Sequence, residues 1–150
     1  MKWKMTFSEY DPETGISKVW IRTDLGTFSG TSYLHEEDKD IASKFQGCKY
    51  AEMRAVSKYV GAKIKNLKLR YNALVDVSNS FKAIKNYKEN KYTKILGSKI
   101  YNLDEQIKDY ELYKKMLDKS IYYQMEHYRD ELGKLKEKIE KNKKQEPTSK

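Results

Sequence analysis

Few side chains in this chain have the residue types that nucleophilic or metal-assisted catalysis requires. The histidines are His35 and His127, and the single cysteine is Cys48. Cys48 and His35 would form a nucleophile and its general base if the fold brought them together. Cys48 follows Gly47, where we expect a short helix to end, and this position favours a small buried cysteine instead. The sequence lacks the paired thiols and repeated histidine spacings of structural zinc sites.

Two further segments resemble ligand-binding motifs without matching them. The first is an acidic run with four possible metal ligands, His35, Glu36, Asp38 and Asp40. Carboxylates also suit the first turn of a helix because of the helix dipole, and we interpret the run as a charged helix start. The second, Gly26–Gly30, has the wrong spacing for a phosphate loop, so we interpret it as a strand with small residues for close packing. We predict no catalytic residues, no metal, no cofactor and no enzymatic activity.

Positive charge is the strongest compositional signal. The 150 residues carry a formal net charge of +9, and residues 49–99 hold thirteen Lys or Arg against three Asp or Glu. Residues 1–48 have a net charge of −2 and residues 100–150 a net charge of +1. Such a balance favours an acidic partner, which is nucleic acid, an anionic membrane surface or an acidic protein face. The alternative is a lysine-rich composition inherited from an AT-rich genome.

Several basic residues of the central segment fall close to one line along a predicted helix. We predict that the nucleic-acid- or partner-binding residues are Arg54, Lys58, Lys65, Lys68 and Lys82. A linear array of cations matches the linear charges of a phosphate backbone, and such contacts read no base sequence. A solvated, lysine-rich helix face is the alternative. Thirteen tyrosines add candidates for a protein interface or for base stacking, or simply flank the helices.

The first part of the chain has the pattern of short strands. Trp3, Met5 and Phe7 alternate with polar residues, and turn signals at 11–15 and 24–26 separate three such segments. We expect an antiparallel meander. The residues predicted to supply much of its core are Trp3, Phe7, Trp20 and Phe28.

From Lys49 onward apolar residues recur at steps of three and four, which is typical of helices with a buried seam. We place the break between two helices at Gly97-Ser98 or in the tract before it. Asn102 with Glu105 is an alternative helix start. A short turn would make the helices pack antiparallel as a hairpin, whereas pairing between chains would give a homodimer.

These patterns predict an α+β fold, a three-stranded antiparallel β-meander with a short helix followed by a long antiparallel helical hairpin. We divide it into a head at residues 1–48, a helical arm at 49–141 and a disordered tail at 142–150. No apolar run approaches the ~20 residues that span a bilayer. The start Met1-Lys2-Trp3-Lys4 leads into no signal-type stretch, and the lone cysteine suits a reducing compartment. We therefore expect a cytoplasmic protein without membrane contact.

The junction Phe45-Gln46-Gly47-Cys48-Lys49-Tyr50-Ala51-Glu52-Met53-Arg54-Ala55 and the preceding Gly26-Thr27-Phe28-Ser29-Gly30 resemble segments of small accessory proteins of Gram-positive bacteriophages and prophages. The resemblance covers roughly residues 16–60 and carries over no functional residues. Accessory proteins of this size include anti-CRISPR inhibitors, which block a host nuclease by binding it. Many such inhibitors imitate DNA with acidic surfaces. The basic arm of this chain implies a grip on guide RNA, target DNA or an acidic patch of the nuclease.

Three functional hypotheses follow. The first is a phage-type accessory protein that inhibits or modulates a host protein or ribonucleoprotein, such as a CRISPR-Cas nuclease, by stoichiometric binding. The second is direct, non-specific binding of DNA or RNA through the basic helix. The third is a structural scaffold in which the helices mediate oligomerisation.

Overall fold

A computed structural model describes residues 2–33 and 44–145 of the chain. Its strands and helices are β1 (Trp3–Asp11), β2 (Ile16–Thr23), β3 (Gly26–Ser32), α1 (Lys44–Lys82) and α2 (Lys91–Gln145). The strands form one antiparallel sheet in the order β1-β2-β3. The helices are antiparallel, because Tyr50 meets Gln124 near one end while Lys68 meets Glu111 further along. The predicted α+β class, with a meander followed by a helical hairpin, is confirmed.

The core lies between the sheet and α1. Val19 and Ile21 of β2 are fully buried, and they cluster with Ala51, Ala55 and Tyr59 of α1. β3 approaches α1 so closely that a Cβ atom at Gly30 would overlap the backbone carbonyl of Ala51. A small residue is therefore required at this position, as the sequence predicted.

The predicted core of the head is wrong for Trp3 and Phe7, which are both exposed, and for Trp20, which lies on the sheet face away from α1. For Phe7 the reason is an irregularity in the β1–β2 register between Met5 and Phe7. A bulge breaks the period-two alternation, so that residues on its two sides no longer share a face. Trp3 lies on the helix side and its indole nitrogen is 3.5 Å from a Glu52 oxygen. Phe7 lies opposite Trp20 on the other face.

The predicted end of a short helix at Gly47 is also wrong, because α1 begins at Lys44 and runs through Gly47. The predicted boundary between residues 48 and 49 therefore falls inside α1. A Cβ atom at Gly47 would overlap the Ser17 hydroxyl, so close packing against β2 explains a glycine within this helix. The predicted acidic helix start at residues 35–40 lies outside the described residues.

The break between the helices lies at residues 83–90, in the tract before Gly97 that was one of the two predicted positions. The other predicted position, Gly97-Ser98, and the alternative helix start at Asn102 lie inside α2. The first residues of the predicted disordered tail, 142–145, are helical, whereas 146–150 lie outside the described residues. Within the described segments, neither helix is both long and apolar enough to cross a bilayer.

Candidate nucleic-acid interface

The connection between the helices is a turn with its own hydrogen bonds. The side chain of Asn90 caps α2, since its Oδ1 accepts from the amides of Tyr92 at 2.9 Å and Thr93 at 3.1 Å. The Thr93 hydroxyl accepts in return from the Asn90 amide at 2.8 Å. This reciprocal cap satisfies donors that the helix start leaves unpaired. Asn86 has a φ of 64°, a left-handed conformation that asparagine tolerates well.

Positive charge is concentrated around this turn. We call residues 81–99 the hairpin tip. It contains one acidic residue, Glu89, and six exposed lysines, Lys82, Lys85, Lys88, Lys91, Lys94 and Lys99. Within the described part of the chain, none of the six forms an ion pair.

Two of these lysines lie where a positive charge destabilises the start of a helix. Lys91 and Lys94 are in the first turn of α2, which contains no acidic residue. The start of a helix is the positive end of its dipole, so a cation there costs about 0.3–1 kcal/mol. A stable helix start alone does not explain lysines at these positions. A polyanion bound at the tip would be attracted both by these lysines and by the helix start, because helix starts bind anions.

Apolar and aromatic side chains are interspersed with the lysines of the tip. Tyr92 is 78% exposed, and Phe81, Ile84 and Ile95 are also exposed. Exposed aromatic rings next to cations are suited to stacking on bases while the cations contact phosphates. The tip therefore combines the two kinds of contact that non-specific nucleic-acid binding uses.

Two of the five predicted binding residues have partners within the fold. The Arg54 guanidinium donates to the Thr31 carbonyl at 2.7 Å and lies 3.3 Å from the Met125 sulfur, so it joins β3 to α2. Lys68 forms a 2.7 Å ion pair with Glu111 of α2. Arg54 thus links the sheet to the hairpin, and Lys68 links the two helices to each other.

The other three predicted residues are exposed and lie on two separate surfaces. Lys58 and Lys65 are seven residues apart, about 10.5 Å along one face of α1. Lys82 is twenty-four residues beyond Lys58, and at 100° per residue it points about 120° away from that face. It belongs to the tip. The structure therefore does not bring the five residues into one stripe.

Sequence reasoning missed the lysines at 85–99, although their signal was present in the net charge of residues 49–99. The predicted binding residues follow one helical line that extends from Arg54 to Lys82. Since α1 ends at Lys82, cations beyond that point gather by the turn and not by helical spacing.

A second polar cluster lies where the β2–β3 turn packs on α1, and it is structural. Asp24, in the β2–β3 turn, accepts from the Tyr59 hydroxyl and from the Lys63 ammonium at 2.6 Å. The bond from Lys63 and, to a smaller extent, the bond from Tyr59 lower the pKa of Asp24. Burial raises the pKa of Tyr59. The cluster ties the turn onto α1. The described residues contain no group of three or more side chains that could hold a metal ion.

Comparisons with known proteins add no relative: no family model, no curated protein and no solved structure matches this chain. The resemblance to phage accessory proteins stays a prediction. The candidate interface rests on the geometry and charge of the hairpin tip.

Proposed function

We propose that this protein binds nucleic acid through its hairpin tip and contacts the phosphate backbone without reading base sequence. One observation carries the proposal: six exposed lysines surround a capped turn with a single acidic residue among them. The six lysines have no carboxylate partner in the described fold, and two of them, Lys91 and Lys94, lie at the positive end of a helix dipole. An anion that the protein binds would account for both observations.

Nucleic acid fits the tip better than an anionic membrane does. A helix that lies on a membrane has its apolar residues on one face and its cations on the other. Here Phe81 and Ile84 alternate with Lys82 and Lys85, so no continuous apolar face is available for insertion.

The proposal is tested by the triple variant Lys85→Glu, Lys88→Glu, Lys91→Glu, with fluorescence anisotropy on labelled DNA and RNA of several sequences. We expect binding to weaken uniformly across the sequences. The slope of log affinity against log salt should fall by roughly one for each phosphate that the tip no longer neutralises.

The matched control is Lys134→Glu, Lys138→Glu, Lys141→Glu, which makes the same change of net charge on exposed positions near the other end of α2. It should weaken binding far less than the tip variant. Equal loss of affinity in the two triple variants would show that net charge, and not the tip, governs binding.

A second candidate function is stoichiometric inhibition of a host nuclease ribonucleoprotein, and an exposed apolar stripe on α2 favours it. Leu112, Met116 and Tyr123 are all exposed and share the face opposite the buried residues Ile107 and Ile121. Such a stripe is typical of a protein-binding surface. Lys115 and Lys119 flank it and would suit the RNA or an acidic face of the partner.

This candidate is tested by cleavage assays of CRISPR-Cas nucleases at rising molar excess of the protein. Inhibition that Leu112→Glu, Met116→Glu abolishes, while the tip variant retains it, would support the α2 stripe. Full nuclease activity at large excess would contradict the inhibitor hypothesis.

A further inference from the structure

The sheet has an open face with its own chemistry. Along β2, Ser17, Val19 and Ile21 are buried against α1. The residues between them, Lys18, Trp20 and Arg22, therefore lie on the opposite face. No described helix covers that face, because α1 packs on the other one.

An aromatic pair lies on this open face. The bulge in β1 turns Phe7 to the same side as Trp20, and the two ring centroids are 5.3 Å apart with an interplanar angle of 51°. Phe7 is 58% exposed and Trp20 is half-buried. Without the bulge, Phe7 would share the face of Trp3 and Met5, and this pair with Trp20 would not form.

The cations of the open face are incompletely balanced. Lys4 lies directly opposite Arg22 in the β1–β2 pairing, and both are exposed. Like charges opposite each other on neighbouring strands are destabilising. Lys18, by contrast, lies opposite Glu9. An anion placed between Lys4 and Arg22 would convert this repulsion into attraction.

We propose that the open face of the sheet binds single-stranded nucleic acid, with bases stacked on Phe7 and Trp20 and phosphates held by Lys4 and Arg22. This inference rests on the proposed function and refines it, since it specifies single-stranded rather than double-stranded nucleic acid. In a duplex the bases are stacked on each other and cannot stack on the sheet, whereas in a single strand their faces are available. The tip, which contacts only the phosphate backbone, would not by itself distinguish single strands from duplexes.

The fluorescence of Trp20 provides a direct test of base stacking on the open face. The chain has two tryptophans, so Trp3→Phe leaves Trp20 as the only one. In this variant we expect a short thymidine oligonucleotide to quench the Trp20 fluorescence, and an abasic oligonucleotide of equal length and charge to leave it unchanged.

The companion variant Phe7→Ala removes an exposed ring and leaves α1 packing intact. It should weaken thymidine binding by roughly 5- to 150-fold, the effect expected for one base stack, with no change for the abasic strand. Circular dichroism provides the check on folding. Lys18→Ala is the matched substitution on the same face, and we expect it to have a smaller effect because Lys18 faces Glu9.

The outcomes separate the inference from the proposed function. Equal affinity for thymidine and abasic strands without quenching would overturn the inference, while loss of binding in the tip variant would still support the tip. Quenching that persists in the tip variant at unchanged affinity would support the open face as the binding site and would contradict binding through the tip. A free protein that scatters light as a dimer, and becomes a monomer on Phe7→Asp, would show that a second copy covers this face and would also overturn the inference.

Discussion

The two ends of the helical hairpin use basic residues in different ways. Where the hairpin packs against the sheet, Arg54, Lys63 and Lys68 each contact a carbonyl or carboxylate of another element. At the tip, six lysines have no ion pair within the described residues. The same residue type thus supports the fold at one end and is available to a partner at the other. A count of charge along the chain does not separate these two roles.

The largest expected difference between the two ends concerns apolar burial. Ile21→Ala removes a fully buried side chain and should lower the free energy of unfolding by about 2–5 kcal/mol. Ile84→Ala at the tip, where the side chain is 58% exposed, should change it by less than about 0.5 kcal/mol. Urea denaturation measures both. Similar destabilisation in the two variants would show that the tip contributes to a core of its own.

Replacing a glycine with alanine should change stability in opposite directions at the two ends of the hairpin. Gly30→Ala forces a methyl group into the α1 backbone and should destabilise the protein by about 1–3 kcal/mol. Gly97→Ala meets nothing within 4 Å and lies in a helix, so it should stabilise by up to about 1 kcal/mol. Thermal unfolding of the two variants gives the comparison. A neutral Gly30→Ala would mean that β3 and α1 leave room for a methyl group between them.

Removing a basic side chain should matter only where that side chain has a partner. Arg54→Ala leaves the Thr31 carbonyl without its donor and should cost about 1–2 kcal/mol of stability. Lys65→Ala, on the exposed face of the same helix, should change stability by less than about 0.5 kcal/mol. If urea midpoints shifted equally in the two variants, the distinction between supporting and available cations would fail.

The tip lysines should trade stability against binding. Lys94→Glu replaces a cation at the start of α2 with an anion and should raise the free energy of unfolding by about 0.3–1 kcal/mol. The same change should weaken nucleic-acid binding. Lys144→Glu, in the last turn of α2, should have the opposite effect on stability. Denaturation and anisotropy on the same samples test both effects.

The smallest expected effect is a dependence on acidity from the β2–β3 turn. The bonds from Lys63 and Tyr59 lower the pKa of Asp24 in the folded protein, so its stabilising contribution is present above the ordinary pKa of 3.8. It is lost as pH falls through the lowered pKa in the folded state. Asp24→Asn should therefore show a shallower loss of stability between pH 5 and pH 2, as measured by urea midpoints. Because Asp24 is half-exposed, solvent screening keeps the difference small.

Periodicity along the chain was sufficient to predict the α+β class, the meander and the hairpin. A period of two and a period near 3.6 are properties of neighbouring residues, and they can be read without knowledge of distant ones. The same local rules failed at Gly47, whose neighbour is Ser17 of β2, and at Phe7, which a single bulge moved to the other face. Helix ends and strand faces depend on such contacts with other elements.

The sequence also located the positive charge in residues 49–99, because composition needs no structure. Which lysines and arginines are available for binding depended on tertiary contacts. Glu111 and Thr31 reach Lys68 and Arg54 from elements far away in sequence, and the turn at residues 83–90 gathers lysines that helical spacing separates. Electrostatic pairing acts over a few ångströms in space, so only the folded chain shows which charges are neutralised within it.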